Sequence, residues 1–191
     1  EVIQVSGQPK YDNSIMVKGD GFSSESNIET DASSSVTVAI PEMGRFLIDN
    51  SSVVSRTKNS NEVKVEKGQI RKFEGDASDI LTVLTPLATF TELYKGGAFR
   101  LHVDENGMCK LTVESGWVIV NIKEFDSYVP KNFGCLITRG KYAIPYPSDS
   151  SPQLINLLEN FSGINDPSVG TILSLMTTKD SLSLWHIIQL I

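Results

Sequence analysis

The sequence predicts an all-β domain that ends in a short helical tail. Three observations support this prediction: short alternating runs rich in Val, Ile and Thr, turn residues between the runs, and a change of composition near residue 143. We therefore divide the chain into an all-β domain over residues 1–143, a proline-rich connector over residues 144–151 and a helical tail over residues 152–191.

The predicted strands occupy the chain from Val2 to about Ala143. In each of them apolar residues alternate with polar ones, which is the pattern of a strand with one buried face. The clearest examples are Ser35–Ile40, Gly44–Ile48, Asn61–Glu66, Ile80–Leu84, Ala98–Val103 and Lys110–Val113. Turns are predicted where a charged or amide residue precedes glycine, as at Asp20-Gly21, Lys67-Gly68 and Asn106-Gly107.

The all-β part contains two similar units. Val63–Ile70 aligns with Leu111–Val118, and both segments keep the alternation, a glutamate and a glycine in register. Repeated β units that cannot each bury a face alone suggest stacking, either as a short β-solenoid or as a jelly-roll-like sandwich. Chance similarity between strand sequences is the competing explanation.

Three short helices are predicted at the end of the chain. The three prolines of Ile144–Pro152 first predict an extended, stiff connector. Helix starts are expected at Ser151, Asp166 and Asp180, since serine and aspartate are preferred N-cap residues. The apolar faces of the first two helices comprise Leu154, Leu157, Leu158 and Phe161, then Val169, Ile172, Leu173 and Met176. The last segment, Leu184–Ile191, is apolar on most sides, so we expect it to pack onto the β body, with a partner as the alternative.

Charge and hydropathy exclude several classes of protein. The chain has 17 Lys and Arg residues against 23 Asp and Glu residues, a net charge of −6, which argues against a nucleic-acid partner. No apolar run reaches the roughly 18 residues of a membrane span, so membrane contact is expected only through an anchor outside this chain. Because Glu1 lies in a segment that already alternates, we expect the chain to be part of a longer polypeptide.

The two cysteines, Cys109 and Cys135, do not form a metal motif. They lack CxxC spacing, and neither has a histidine nearby that would complete a zinc site, so we expect no metal and no cofactor. A disulfide between Cys109 and Cys135 is possible, but two buried free thiols fit the sequence equally well.

The sequence contains no recognisable catalytic motif. No Gly-x-Ser-x-Gly elbow occurs, and neither His102 nor His186 has a nucleophile beside it, so we expect both histidines to be structural and the chain not to be an enzyme. His102 is expected on the solvent face of its strand and His186 half buried beside Trp185. A glycosidase or lyase is a further hypothesis, which predicts two carboxylates across a deep cleft, at least one of them with a raised pKa. Trp117 is a candidate interaction residue, with core packing as the alternative.

The order and spacing of short motifs give a further indication. They comprise Val5–Gln8, Met16–Asp20, Ile28–Thr30, Gly44–Ile48, Val65–Gly68, Gly97–Phe99, Val113–Val118 and Val129–Pro130. In this order they resemble the FecR domain, which lies outside the inner membrane in bacterial transmembrane regulators of sigma factors. In the tail, Asp180–His186 is similar to a segment that follows this domain in some membrane-anchored members.

The resemblance implies a non-enzymatic signalling or protein-binding domain. It would lie on the periplasmic face, anchored to the inner membrane in the full-length protein, with a partner such as the signalling domain of an outer-membrane receptor. The resemblance transfers no residue as a binding site. The alternative is a carbohydrate-binding module of the cell envelope, in which Trp117 would stack on a sugar.

Overall fold

The computed structural model consists mainly of β-strands, as the alternating sequence predicts. It describes residues 1–122, 125–163 and 165–190. The strands in these residues are β1 (Val2–Ser6), β2 (Lys10–Tyr11), β3 (Ser14–Ile15), β4 (Asn27–Glu29), β5 (Ser35–Ile40), β6 (Gly44–Ile48), β7 (Val53–Arg56), β8 (Glu62–Lys72), β9 (Thr82–Leu84), β10 (Thr89–Glu92), β11 (Ala98–Val103), β12 (Cys109–Ser115), β13 (Trp117–Ile122), β14 (Phe125–Pro130), β15 (Phe133–Ile137) and β16 (Tyr146–Pro147). The helices are α1 (Pro152–Glu159), α2 (Val169–Leu175) and α3 (Ser181–Ile188).

The strands form two layers that share one hydrophobic core. The first layer has the order β1, β5, β6, the second half of β8, β11, β12, β15 and β16. The second layer has the order β3, β2, β4, β7, the first half of β8, β9, β10, β13 and β14. Ile48 and Leu101 of the first layer lie in one core with Val65 and Val83 of the second.

Strand β8 passes from one layer to the other at Gly68. Residues 62–67 pair with strands of the second layer, and residues 68–72 pair with strands of the first. Gly68 has a φ of +96°, and a Cβ atom there would lie 2.2 Å from Oγ of Ser52. The predicted turn at Lys67-Gly68 is therefore wrong, because the left-handed glycine bends the strand without ending it.

Gly116 occupies the aligned position in the second unit and has a similar role. It has a φ of +77° and separates β12 of the first layer from β13 of the second layer without a loop. Among the described strand pairs, β8 with β9 in the second layer is parallel, and all the others in both layers are antiparallel. A β-solenoid stacks its strands in parallel, so the arrangement is that of the sandwich alternative. The prediction of an all-β body with a C-terminal helical tail is confirmed.

The proline-rich segment adds one strand to the body. It is extended as predicted, but Tyr146 and Pro147 form the edge strand β16, which pairs with Phe133 and Gly134. Both side chains of β16 are buried, and the hydroxyl of Tyr146 donates a hydrogen bond to Oε1 of Glu159 in α1. The connector thereby ties the tail to the first layer.

The tail has a hydrophobic core of its own, formed with the end of the β body. Helix α1 begins as predicted, since Oγ of Ser151 accepts a hydrogen bond from the backbone N–H of Leu154 at 3.2 Å. Helix α2 begins at Val169, later than predicted, because the carboxylate of Asp166 binds Ser162 and Ser168 in the preceding loop.

Two further expectations for the tail differ from the structure. Leu173, expected on the buried face of α2, is exposed, because the short helix buries only Ile172. Ile191, the predicted end of the third segment, lies outside the described residues. Within the part of the chain described, no helix is long and apolar enough to span a membrane.

Candidate functional site

Trp117 lies at the surface, at the start of β13 on the outer face of the second layer. Its side chain is 39% exposed, so it is not part of the core. It is opposite Pro130 of β14 in the strand register, and its backbone oxygen accepts a hydrogen bond from Leu93. The side chain is therefore available to a partner, and its role in binding stays a prediction.

Trp117 belongs to a larger apolar area that includes the tail. Ile119 follows it on the same face of β13 and is paired with Tyr128 of β14. The ring of Tyr128 makes an edge contact with Trp185 of α3, with 6.4 Å between the ring centroids. Trp185 is itself 45% exposed. We call Trp117, Ile119, Tyr128 and Trp185 the aromatic surface.

His186 fixes α3 against the outer edge of β14. Its Nε2 accepts a hydrogen bond from the backbone N–H of Tyr128 at 3.1 Å, and its Nδ1 lies 2.9 Å from the backbone oxygen of Leu182. The imidazole is therefore neutral, with the proton on Nδ1. Burial lowers the pKa of His186, and the bond to Leu182 only partly opposes this effect.

The two histidines thus have different environments. His186 is completely buried, contrary to the expectation that it would be half buried, because it fills the space between α3 and β14 and also contacts the ring of Trp185. His102 lies on β11 and is exposed, as its alternation predicts. No hydroxyl or thiol nucleophile is hydrogen-bonded to either imidazole in the described residues.

A second group of bonds fixes the start of α3. Oγ of Ser183 donates to the backbone oxygen of Pro145 at 2.6 Å, and Oγ of Ser150 donates to Asp180 at 2.8 Å. Burial would raise the pKa of the Asp180 carboxyl, but hydrogen bonds from Thr177 and Ser150 outweigh it, so the pKa is lowered. Together with the bond between Tyr128 and His186, these contacts hold α3 on the β body, as expected for the last segment.

A cavity of about 650 Å³ lies between the β13–β14 hairpin and the tail. It is lined by apolar and small polar residues that include Phe125, Tyr142 and Leu190. Lys141 contributes the only charged side chain among its described lining residues, and its Nζ donates to Asn160 at 2.7 Å. These residues do not provide the acid and base that hydrolysis requires.

The core contains an ion pair that the sequence analysis missed. Nζ of Lys72 lies 2.6 Å from Oε1 of Glu92, and the two side chains are 0% and 1% exposed. Lys72 also donates to the backbone oxygen of Gly97, and Leu81 donates its backbone N–H to Glu92. Burial raises the pKa of Glu92. A carboxylate enclosed in this way cannot reach a substrate, so the pair joins the two layers and does not fulfil the glycosidase hypothesis.

A signal for this pair is present in the sequence. Lys72 follows Ile70 by two positions, and Glu92 follows Phe90 by two, so both charged residues fall on the buried face of their strands. Two residues of opposite charge that each occupy a buried-face position in a strand indicate a buried ion pair.

Cys109 and Cys135 are buried free thiols in the structure. They lie on the adjacent strands β12 and β15, where Cys109 is opposite Ile137 and Cys135 is opposite Leu111, so they are two register positions apart. Burial raises the pKa of Cys109 to about 11 and also raises that of Cys135. Among the residues described, no group of His, Cys, Asp and Glu side chains has the arrangement of a metal site.

Comparison with known proteins gives a likeness of fold. No family model matches the sequence, and no curated protein matches it. Two crystal structures, each of a candidate anti-sigma factor from Parabacteroides distasonis ATCC 8503, are similar to this chain, with a TM-score of 0.53 and identities of 17% and 18%. The match covers 63% of this chain and only 59% of each of those chains. At this identity the likeness establishes a shared fold and leaves the function to be argued from the site.

Proposed function

We propose that this chain is the extracytoplasmic, protein-binding domain of a membrane-anchored, FecR-like regulator of a sigma factor. The proposal includes no catalytic step. The order of its sequence motifs resembles the FecR domain, and the fold likeness to candidate anti-sigma factors supports a role in regulation. The partner would be another envelope protein, such as the signalling domain of a receptor.

The observation that carries the proposal is the aromatic surface. Trp and Tyr are the side chains most enriched where proteins bind one another, because they bury a large area at a small cost in conformational entropy. Here Trp117 in β13 and Trp185 in α3 are both partly exposed. A partner that covers both would contact the β body and the tail at once.

This arrangement suggests how binding would be transmitted. Tyr128 contacts Trp185 through its ring and His186 through its backbone N–H, so the surface and the attachment of α3 share one residue. A partner that contacts both Trp117 and Trp185 therefore stabilises the docked position of α3. A partner that displaces Trp185 would release α3 from the β body. In either case the position of the tail would depend on occupancy of the surface.

The proposal is tested with the purified domain as bait for envelope proteins of its own host, with captured proteins cross-linked and identified. Trp117→Ala and Trp185→Ala are each expected to lower recovery of one receptor or sigma-regulator component at least tenfold. Tyr94→Ala is the matched control, because Tyr94 is an exposed aromatic residue outside the aromatic surface. Equal recovery by all variants, with circular dichroism unchanged, would contradict the proposed surface.

Exposed apolar residues at a sheet edge give that experiment a further outcome. Ile15 lies on β3, the edge strand of the second layer, and is exposed, as are Ile3 and Val17. An edge strand can bind a partner by strand addition. If Ile15→Ser abolishes recovery while Trp117→Ala does not, recognition takes place at this edge, and the aromatic surface is excluded as the binding site.

A carbohydrate-binding module is the second candidate function, and the exposure of Trp117 favours it. A flat, exposed indole can stack on a sugar ring. Binding to peptidoglycan fragments that is lost in a folded Trp117→Ala variant, without capture of any protein, would support this alternative. Protein capture that is insensitive to added glycans would exclude it.

A further inference from the structure

The outer face of the first layer carries a cluster of arginines. Arg45 of β6, Arg71 of β8 and Arg100 of β11 point away from the core on three adjacent strands. They are three of the five arginines in a chain whose net charge is −6. We call these three residues and Phe73 the arginine face. It lies on a different layer from the aromatic surface.

Phe73 holds two of the guanidinium groups in place. The ring centroid lies 4.7 Å from Cζ of Arg45 and 5.1 Å from Cζ of Arg71. Phe73 also donates its backbone N–H to the backbone oxygen of Arg45, so the two residues are opposite each other. Cation–π contacts of this kind fix the plane of a guanidinium and leave its N–H groups free to bind a ligand.

The same face already binds one carboxylate of the chain. Glu114 accepts hydrogen bonds from Arg71 at 3.0 Å and from Arg100 at 2.6 Å. Burial opposes ionisation of Glu114, but the bonds from Arg71 and Arg100 outweigh it and lower its pKa. The geometry of this face therefore suits carboxylate oxygens.

Arg45 differs from the other two arginines. Its side chain has no hydrogen bond and no ion pair with any described residue, although it is exposed and oriented by Phe73. Arg100 is bonded to Glu114 only through Nε, and its side chain is 52% exposed. Both arginines thus retain N–H donors that face solvent.

We propose that the arginine face binds an acidic, extended peptide segment of a protein partner. One carboxylate would bind Arg45 and a second would bind Arg100. The backbones of these residues lie two strands and about two residues apart, or roughly 12 Å. Acidic residues four positions apart on an extended segment point to the same side and are separated by about 13 Å, which matches this distance.

The surroundings favour a peptide over a uniformly charged polymer. Glu74, Asp76 and Asp79 are exposed in the loop that follows β8, and Glu114 lies within the face itself. A nucleic acid or a sulfated polysaccharide carries a negative charge on every unit and would be repelled by these carboxylates and by the net charge. A peptide can place two carboxylates at the arginines and neutral residues elsewhere.

The test is a titration of the purified domain with a short peptide of Ser, Thr and Gln that carries two glutamates four positions apart. Backbone amide shifts are followed by NMR at low and at physiological ionic strength. Shifts are expected in β6, β8 and β11, with affinity falling as salt is added. The same peptide with both glutamates replaced by glutamine should bind at least tenfold more weakly.

Variants of Arg45 show whether the contact is specific. Arg45→Ala is expected to weaken binding about tenfold, which is the effect of losing one charge-assisted hydrogen-bonded pair. Arg45→Lys should recover only part of this loss, because an ammonium group cannot form the bidentate bond. Arg139→Ala is the matched control, since it removes the same charge from an exposed position outside the face.

Three results would overturn the proposal. The first is the absence of amide shifts in β6, β8 and β11 at millimolar peptide. The second is equal binding of the peptide by the Arg45→Ala and Arg139→Ala variants. The third is binding of heparin or single-stranded DNA that depends on Arg45 and is tighter than binding of the peptide. The last result would assign the face to a polyanion. None of these outcomes depends on whether the aromatic surface binds a partner.

Discussion

The backbone N–H of Tyr128 donates to Nε2 of His186, and this bond joins the outer edge of β14 to helix α3. The two residues are 58 positions apart in the sequence. The bond requires a neutral imidazole, because a protonated Nε2 cannot accept a hydrogen bond. Attachment of the tail is therefore linked to the protonation of one side chain.

We expect the protein to become less stable as the pH falls below about 6.5. Burial lowers the pKa of His186 from the ordinary histidine value of about 6.5, so the unfolded chain binds the proton more readily than the folded chain. Stability is then fully present above the unfolded value and is lost as the pH falls, by up to about 1.4 kcal/mol per pH unit. Urea denaturation between pH 7 and 5.5 measures this slope.

The two histidines provide the control for this measurement. His102→Asn is the matched variant, since it replaces an imidazole that is exposed on β11. His186→Asn should be less stable at pH 7 and should show a flatter profile. An unchanged slope in the His186→Asn variant would show that other groups cause the pH dependence.

Breaking the buried ion pair is expected to destabilise the domain strongly. Lys72→Ala or Glu92→Ala leaves one charge unpaired in the core, at a cost of about 3–5 kcal/mol in the free energy of unfolding. The exposed pair Lys64 and Glu66 is the control, and its loss should cost less than about 1 kcal/mol.

The double variant Lys72→Met with Glu92→Leu tests the same pair in the opposite direction. It removes both charges and keeps apolar volume, so it should recover most of the stability lost in either alanine variant. A double variant as unstable as the two single variants combined would show that the residues act independently.

Gly68→Ala is expected to destabilise the protein by about 2–4 kcal/mol. The residue has a φ of +96°, and its new Cβ atom would lie 2.2 Å from Oγ of Ser52, so both the backbone and the packing would be strained. Gly21→Ala is the matched control, because nothing lies within 4 Å of a Cβ atom there. That change should alter stability by less than about 0.5 kcal/mol.

The native protein should not react with a thiol reagent at neutral pH. Cys109 and Cys135 are buried, and burial raises the pKa of both thiols. The denatured, non-reduced protein should then release two equivalents of reagent product, one for each free thiol. Release of none would demonstrate a disulfide between the two cysteines instead.

The sequence predicts the strands well where one face is buried. Alternation predicts three strands with the bounds that they have in the structure, because it corresponds to alternate burial: Ser35–Ile40, Gly44–Ile48 and Ala98–Val103. It was less informative at Lys67-Gly68, since a glycine after a polar residue suits both a turn and a bend within a strand. The choice between them depends on Ser52, which lies close in space and distant in sequence.

The candidate site could be predicted only in part. Trp117 is predicted as an interaction residue because it stands next to Gly116 where the first unit has Gln69, but the position of Trp185 on the same surface depends on how α3 docks. Tyr128 and Trp185 come together through the long-range bond of His186, which no local pattern indicates. The arginine face is different, because Arg71 and Arg100 fall in the exposed phase of predicted or adjoining strands and were detectable by alternation.

The continuous path of β8 through both layers has a consequence for local opening. Its backbone amides are hydrogen-bonded in the second layer before Gly68 and in the first layer after it. Opening either layer therefore breaks bonds of the same strand, so we expect the layers to exchange their amide hydrogens as one cooperative unit, with β8 among the slowest. The tail has a separate core and no hydrogen bonds to β8 in the described residues, so its amides can exchange by an opening that leaves the β body intact.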